Sequence, residues 1–123
     1  MKKLFVSCPM KGRTEEDIRK SIHRMHKMAE AAFYQELELI PSYIEHNPPS
    51  TNHMAVWYLG QSIALMADAD YFVGIGWEED FKGCNIEKDV ARSYDIPSLL
   101  LDLGIVAPEY TPSWKRKRTE VSE

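Results

Sequence analysis

The chain predicts an α/β protein: one domain with a parallel sheet of four to five strands, covered by helices in a three-layer arrangement. Two observations predict it. Short apolar runs rich in β-branched and aromatic residues alternate with longer stretches whose apolar residues recur at steps of three and four. That alternation calls for parallel strands joined by right-handed crossover helices. The second observation is size: 123 residues without an internal repeat or a linker-like stretch suit a single domain with its own core. A strand order of about 2-1-3-4 is expected, with the topological switch between the first and third strands.

Each element has its own signal. Lys3–Ser7 reads as the first strand, apolar at its centre, and the turn Cys8-Pro9-Met10-Lys11-Gly12 stops it. Thr14 is placed to cap the following helix, and Glu15, Glu16 and Asp17 suit its positive end. Ile18, Ile22, Met25, Ala29, Ala32 and Phe33 form its apolar stripe, with His23 and His26 beside it as surface residues. Leu37–Pro41 is the second strand. Residues 42–54 make a long polar connection containing Tyr43, His46 and His53, and loops of that length are often functional. Tyr43 and His46 either line a site or pack structurally.

Val56, Leu59, Ile63 and Met66 mark a second helix, with Gln61, Ser62 and Asp68 on its polar side. Tyr71–Ile75 is the third strand. A polar loop runs from Gly76 to Lys82, and Ile86, Val90 and Tyr94 announce a helix beginning near Gly83 or Cys84. It ends before Asp95-Ile96-Pro97. Ser98–Asp102 is the fourth strand. Residues 1–104 are expected to form the domain and 105–123 an irregular C-terminal tail.

Composition narrows the function classes. A net charge of −4 does not advertise nucleic-acid binding, and the basic run Lys115–Arg118 is local. No apolar run approaches a membrane span, and the N-terminal residues lack a signal-peptide core, so no membrane association is expected. Two cysteines, Cys8 and Cys84, provide neither a disulfide framework nor zinc spacing, which points to a reducing, cytoplasmic location. No metal site is expected. The Cys8–Gly12 turn lacks the Walker pattern, and Gly74-Ile75-Gly76 lacks the third glycine of a dinucleotide fingerprint. Neither cysteine has a local activating neighbour.

What remains is a carboxylate site. Glu87 falls in the first turns of the third helix, just past the carboxyl end of a strand, where open α/β sheets bind ligands. One reading of Glu87 is a helix-dipole partner, favoured by a few tenths to about 1 kcal/mol. The other is a positioned nucleophile, with Gly83 admitting a substrate to the backbone and Trp77 offering a stacking face. Glu78, Glu79 and Asp80 lie nearby, and one of them turned inward would serve as an acid. Retaining glycosyl transfer needs such a nucleophile beneath the anomeric carbon and help for the leaving group.

From Leu4 to about Asp102 the chain resembles the nucleoside 2-deoxyribosyltransferase-like family, especially its small bacterial and phage members. Phe5-Val6-Ser7-Cys8-Pro9-Met10-Lys11-Gly12 is similar to the family's first strand and glycine-proline loop. Ala67-Asp68-Ala69-Asp70-Tyr71-Phe72-Val73 is similar to its aspartate-then-strand block. Gly83-Cys84-Asn85-Ile86-Glu87, with Ala91 beyond, matches its G-x-x-x-E…A signature. The resemblance implies a flavodoxin-like Rossmannoid fold and a homo-oligomer, dimer or higher, whose neighbour helps close each pocket. It also implies cleavage or transfer at the N-glycosidic bond of a nucleoside or nucleotide through an ester on Glu87, without a cofactor. Glu87 and Asp80 would be catalytic. Ser7, Cys8, Pro9, Met10, Lys11, Gly12, Tyr43, Gln61, Trp77, Gly83 and Asn85 would bind substrate. Met10 and Trp77 would contact the base, and Lys11 or the third helix N-terminus a 5′-phosphate.

The chain departs from the family in three places. Cys8 replaces the loop glycine. Phe81 stands where the deoxyribosyltransferases carry an aspartate six residues before the nucleophile, with Asp80 adjacent. Gln61 and Ser62 stand near the position of the acid that assists the leaving base. A nucleotide-binding module with reduced catalysis is therefore the alternative, and an interaction protein working through the 105–123 tail is a third reading.

Overall fold

The computed structural model describes residues 1–41 and 49–116. Its elements run β1 (Lys3–Val6), α1 (Glu15–Phe33), β2 (Glu38–Leu39), α2 (Met54–Met66), β3 (Tyr71–Ile75), α3 (Lys82–Ser93), β4 (Ser98–Leu101) and α4 (Leu103–Val106). The four strands form one sheet in the order β2-β1-β3-β4, and every pairing is parallel. The architecture is the α/β sheet with flanking helices read from the sequence, consistent with a single-domain flavodoxin-like fold. The register sets Leu4 beside Tyr71, Phe5 beside Phe72 and Val6 beside Val73. Parallel pairing brings the carboxyl ends of β1 and β3 to the same sheet edge, at the switch point.

Alternation along the strands divides the core in two. Leu4, Val6, Val73, Ile75 and Leu101 face Met25 and Ala29 of α1 and the segment Leu103, Val106 and Ala107. Phe5 and Phe72 point the other way, stacked with ring centroids 6.0 Å apart, and pack with Ile40, Met66 and Ala91. Thr14 caps α1 by accepting from the Asp17 N–H at 3.1 Å, and the helix closes at Tyr34 in the left-handed conformation. The Glu30 carboxylate then accepts the Leu37 N–H at 2.9 Å, which turns the chain into β2.

Several local readings change. β2 is shorter than Leu37–Pro41, although the Ile40 N–H still reaches the Leu4 carbonyl at 2.9 Å before Pro41 ends the ladder. α3 begins at Lys82, and β4 ends at Leu101. Ala32 is exposed, whereas His26 is half-buried with Nε2 2.8 Å from the Leu37 carbonyl. The expected boundary at residue 104 falls inside α4. Val106 and Ala107 are fully buried, because Leu103-Gly-Ile-Val-Ala107 carries apolar side chains that the α1 face of the sheet needs. No helix among the described residues is long and apolar enough to cross a membrane.

Gly74 is where this packing touches the site. A Cβ there would come within 2.7 Å of the buried Phe72 ring and 3.4 Å of the Ser7 Cβ. Gly74→Ala should therefore overpack the core and cost about 1–3 kcal/mol, read from urea unfolding. A midpoint equal to that of the unsubstituted protein would show that the Phe72 ring has room to shift.

Candidate functional site

At the shared strand edge lies an open cleft of about 860 Å³. One wall is the β1 end and its turn (Phe5, Val6, Cys8, Met10, Lys11), and the second is α2 (Ala55, Tyr58, Ser62). The third wall is the loop entering α3 (Glu79 to Gly83), together with Cys84 and Glu87. The spacing of α2 explains its share: positions 55, 58 and 62 fall on one helix face.

Glu87 stands on the buried face of α3 with Cys84, Lys88 and Ala91, and is only 9% exposed. The Ser7 hydroxyl donates to its Oε1 at 2.6 Å, and the Ser62 hydroxyl also hydrogen-bonds it. Ser7 is fixed in turn by its own N–H, which donates to the Val73 carbonyl at 2.8 Å. Burial pushes the Glu87 carboxyl above its ordinary value, and the two neutral hydroxyls oppose that only in part. A carboxylate kept from water, oriented by two hydroxyls and open to a cleft can attack an electrophilic carbon or stabilise a cation above it.

The cysteines in the cleft wall have no such poise. Burial raises the Cys8 thiol to about 11 against the opposing pull of Arg13, and raises Cys84 to about 12. Both remain thiols at neutral pH and pack as small apolar residues. Among the described residues no group of three or more His, Cys, Asp or Glu is arranged to hold a metal ion.

The residues singled out from the sequence divide by position. Cys8, Met10, Lys11, Asp80, Gly83 and Glu87 line the cleft, and Ser7 touches it through Glu87. At Gly83 a Cβ would meet only Leu59 Cδ1 at 3.9 Å, so packing does not demand glycine there and its absence of a side chain leaves the wall open. Pro9 is buried within the turn, and Gly12 completes that turn at φ +74°, where glycine is unstrained. Asn85 does not line the cleft. Its side-chain amide pins the loop, accepting from the Glu78 N–H and donating to the Glu78 carbonyl, both at 2.8 Å.

Trp77 is 69% exposed and outside the cleft lining, and Gln61 is outside it too, its neighbour Ser62 taking the inward position. Tyr43 and His46 lie outside the described residues. Asp80 is committed elsewhere: its carboxylate accepts from the Ser113 hydroxyl, from the Tyr110 hydroxyl at 2.7 Å and from the Ser113 N–H at 2.8 Å. Those hydrogen bonds hold it ionised down to about 2, so it has no proton to donate near neutrality.

Sequence reasoning passed over Tyr58, Phe81, Lys82 and Cys84 as cleft residues. The helical spacing of Tyr58 with Ser62 was a usable signal; the inward turn of the loop at Phe81 had none.

Linkage gives the sign of a test. Since the folded state raises the Glu87 pKa, its stability contribution is complete below the ordinary value of 4.5 and is lost as pH rises through the folded value. Glu87→Gln should remove that loss, so the variant gains on the unsubstituted protein as pH climbs from 4.5 towards neutral. Urea midpoints over that range measure the gap, and a gap that stays constant contradicts a buried, upward-shifted carboxyl.

No family model, no curated protein and no solved structure matches this chain.

Proposed function

We propose that the protein cleaves or transfers the N-glycosidic bond of a nucleoside or nucleotide, with Glu87 as nucleophile. The observation that carries the reading is the buried Glu87 carboxylate, held by Ser7 and Ser62 at the side of an open cleft beside the β1–β3 switch point. The sequence resemblance to nucleoside 2-deoxyribosyltransferase-like proteins supports it, because the glutamate of the G-x-x-x-E pattern is the residue found in that position.

In this mechanism a Glu87 oxygen attacks the anomeric carbon. The C–N bond breaks with its electron pair leaving on the base, which takes up a proton, and a glycosyl ester forms on Glu87. Water then gives hydrolysis; a second base gives transfer. A desolvated carboxylate suits the step, since it stabilises the positive charge developing on the sugar more strongly than a hydrated one would. The Ser7 hydroxyl keeps the Oε1 side of the carboxylate oriented through its hydrogen bond. Met10 and Tyr58 offer the cleft's apolar contact for a base, and Lys11 and Lys82 stand at its wall for a phosphate.

Two features of the molecule support further parts of the reading. Residues 54–66 of α2 contain no charged side chain, and Met54, Val56 and Tyr58 are exposed, which favours a homo-oligomer covering that helix. Two free, buried cysteines fit a reducing cytoplasmic setting.

One observation favours a nucleotide-binding module with reduced catalysis as the second reading. Asp80 is bound to Tyr110 and Ser113, and α2 presents Ser62 where a leaving-group acid is expected, so the leaving base must take its proton from water.

Incubation with a pooled nucleoside and nucleotide panel, read by mass spectrometry, separates the two. The enzyme reading expects free base from at least one compound and a glycosyl adduct on Glu87, with at least a thousandfold loss of base release in Glu87→Gln, on the order of nucleophile removal in other enzymes. Equal turnover by the variant rejects the mechanism. Thermal stabilisation by a nucleotide without base release favours the binder.

A further inference from the structure

The segment after α4 touches both loops that line the cleft. At one end the Arg13 side chain, only 1% exposed, grips Glu109 through two hydrogen bonds, Nε at 3.2 Å and an Nη at 2.9 Å. The same guanidinium donates to the Pro9 carbonyl at 2.7 Å and to the Ser21 hydroxyl at 2.6 Å, so it ties the β1 turn to α1 and to the C-terminal segment together. At the other end Asp80 accepts from Tyr110 and twice from Ser113, and the Trp114 indole N–H donates to Glu78 at 3.1 Å. The Tyr110 ring also packs on Phe81, with centroids 5.1 Å apart.

We propose that residues 107–116 form a strap that sets the width of the cleft, with Arg13 and Asp80 as positioning residues at its two anchors. Neither acts on a substrate. Arg13 fixes the turn carrying Cys8, Met10 and Lys11; Asp80 fixes the opposite wall, carrying Glu79 to Gly83. The anchors are chemically unequal. The buried guanidinium depends on Glu109 for its charge partner, so losing that carboxylate leaves a cation with no comparable compensation. Asp80 is more open and depends on neutral hydroxyl and amide donors, which makes its end the weaker latch. The proposal is independent of the reaction assigned to Glu87, because the strap would set the cleft for any ligand.

Cys8 and Cys84, one in each of the two strapped walls, report directly on opening. Their reaction with 4,4′-dithiodipyridine is followed in the full chain at neutral pH, in urea concentrations below the unfolding transition. Glu109→Gln and Ser113→Ala should each speed labelling about tenfold or more, at rates nearly flat in low urea, as local opening requires. Tyr110→Phe, which removes one hydroxyl, provides the same readout if Glu109→Gln fails to fold. Arg19→Ala, at an exposed helix ion pair with Glu15, should leave the rate unchanged. Labelling at the unsubstituted rate in the strap variants overturns the proposal. So do rates that climb with urea as steeply as global unfolding, since the segment would then add stability without controlling the cleft.

Discussion

The hydrogen bond from Ser7 to Glu87 joins residues 80 positions apart, and the geometry of the cleft hangs on it. It exists only because β1 and β3 pair in parallel with Val6 beside Val73, which sets Ser7 at the strand end facing the second turn of α3. A slip of one residue in that register would turn Ser7 to the opposite face and leave the Glu87 carboxylate with Ser62 alone. Burying an acid costs free energy, and two hydroxyls recover only part of it. The molecule therefore holds Glu87 in a state that packing alone would not select, which is common where a side chain has chemical work to perform.

The core exists in the form that keeps this contact in register. Phe5 and Phe72 stack on one face of the sheet while Leu4, Val6, Val73 and Ile75 fill the other, so β1 and β3 are clamped from both sides. Gly74 completes the arrangement by its missing side chain, letting the Phe72 ring and Ser7 approach the strand together. Stability and site lie side by side there: the absence of a Cβ makes room for the Phe72 ring, and the Ser7 Cβ stands next to the same position. The cleft is then finished by parts added from outside the sheet, α2 on one side and the C-terminal segment binding both loops.

How much of this was legible in the sequence depends on how local each cause is. β1 and β3 announce themselves through apolar runs, and α1 through Thr14 and its acidic first turn, because those signals act within a few residues. The parallel pairing follows from the helical crossovers between consecutive strands. β2 was overread because Leu37, Leu39 and Ile40 are apolar around Glu38, whereas Pro41 cuts the ladder early. The C-terminal segment was underread, although Leu103-Gly-Ile-Val-Ala107 carried an apolar pattern and Asp102 a cap for α4. Glu87 was found from its place beyond a strand end. The commitment of Asp80 to Ser113 was not, since a hydrogen bond across 33 residues leaves no local mark. Trp77 illustrates the same limit: composition suggests stacking, but only the loop's path decides that it stands exposed and outside the cleft lining.

The chemistry of the cleft stands on a Glu87 carboxyl that is buried and presented to its wall. Carbon-13 NMR of the side-chain carboxyl, assigned by comparison with Glu87→Gln, follows its titration directly in the folded protein. A midpoint clearly above the ordinary 4.5, moving higher still when Ser7 is replaced by alanine, is the predicted result. A midpoint at or below 4.5, indifferent to Ser7, would contradict it: the carboxyl would then be hydrated, and the cleft would lack the group that gives it chemistry.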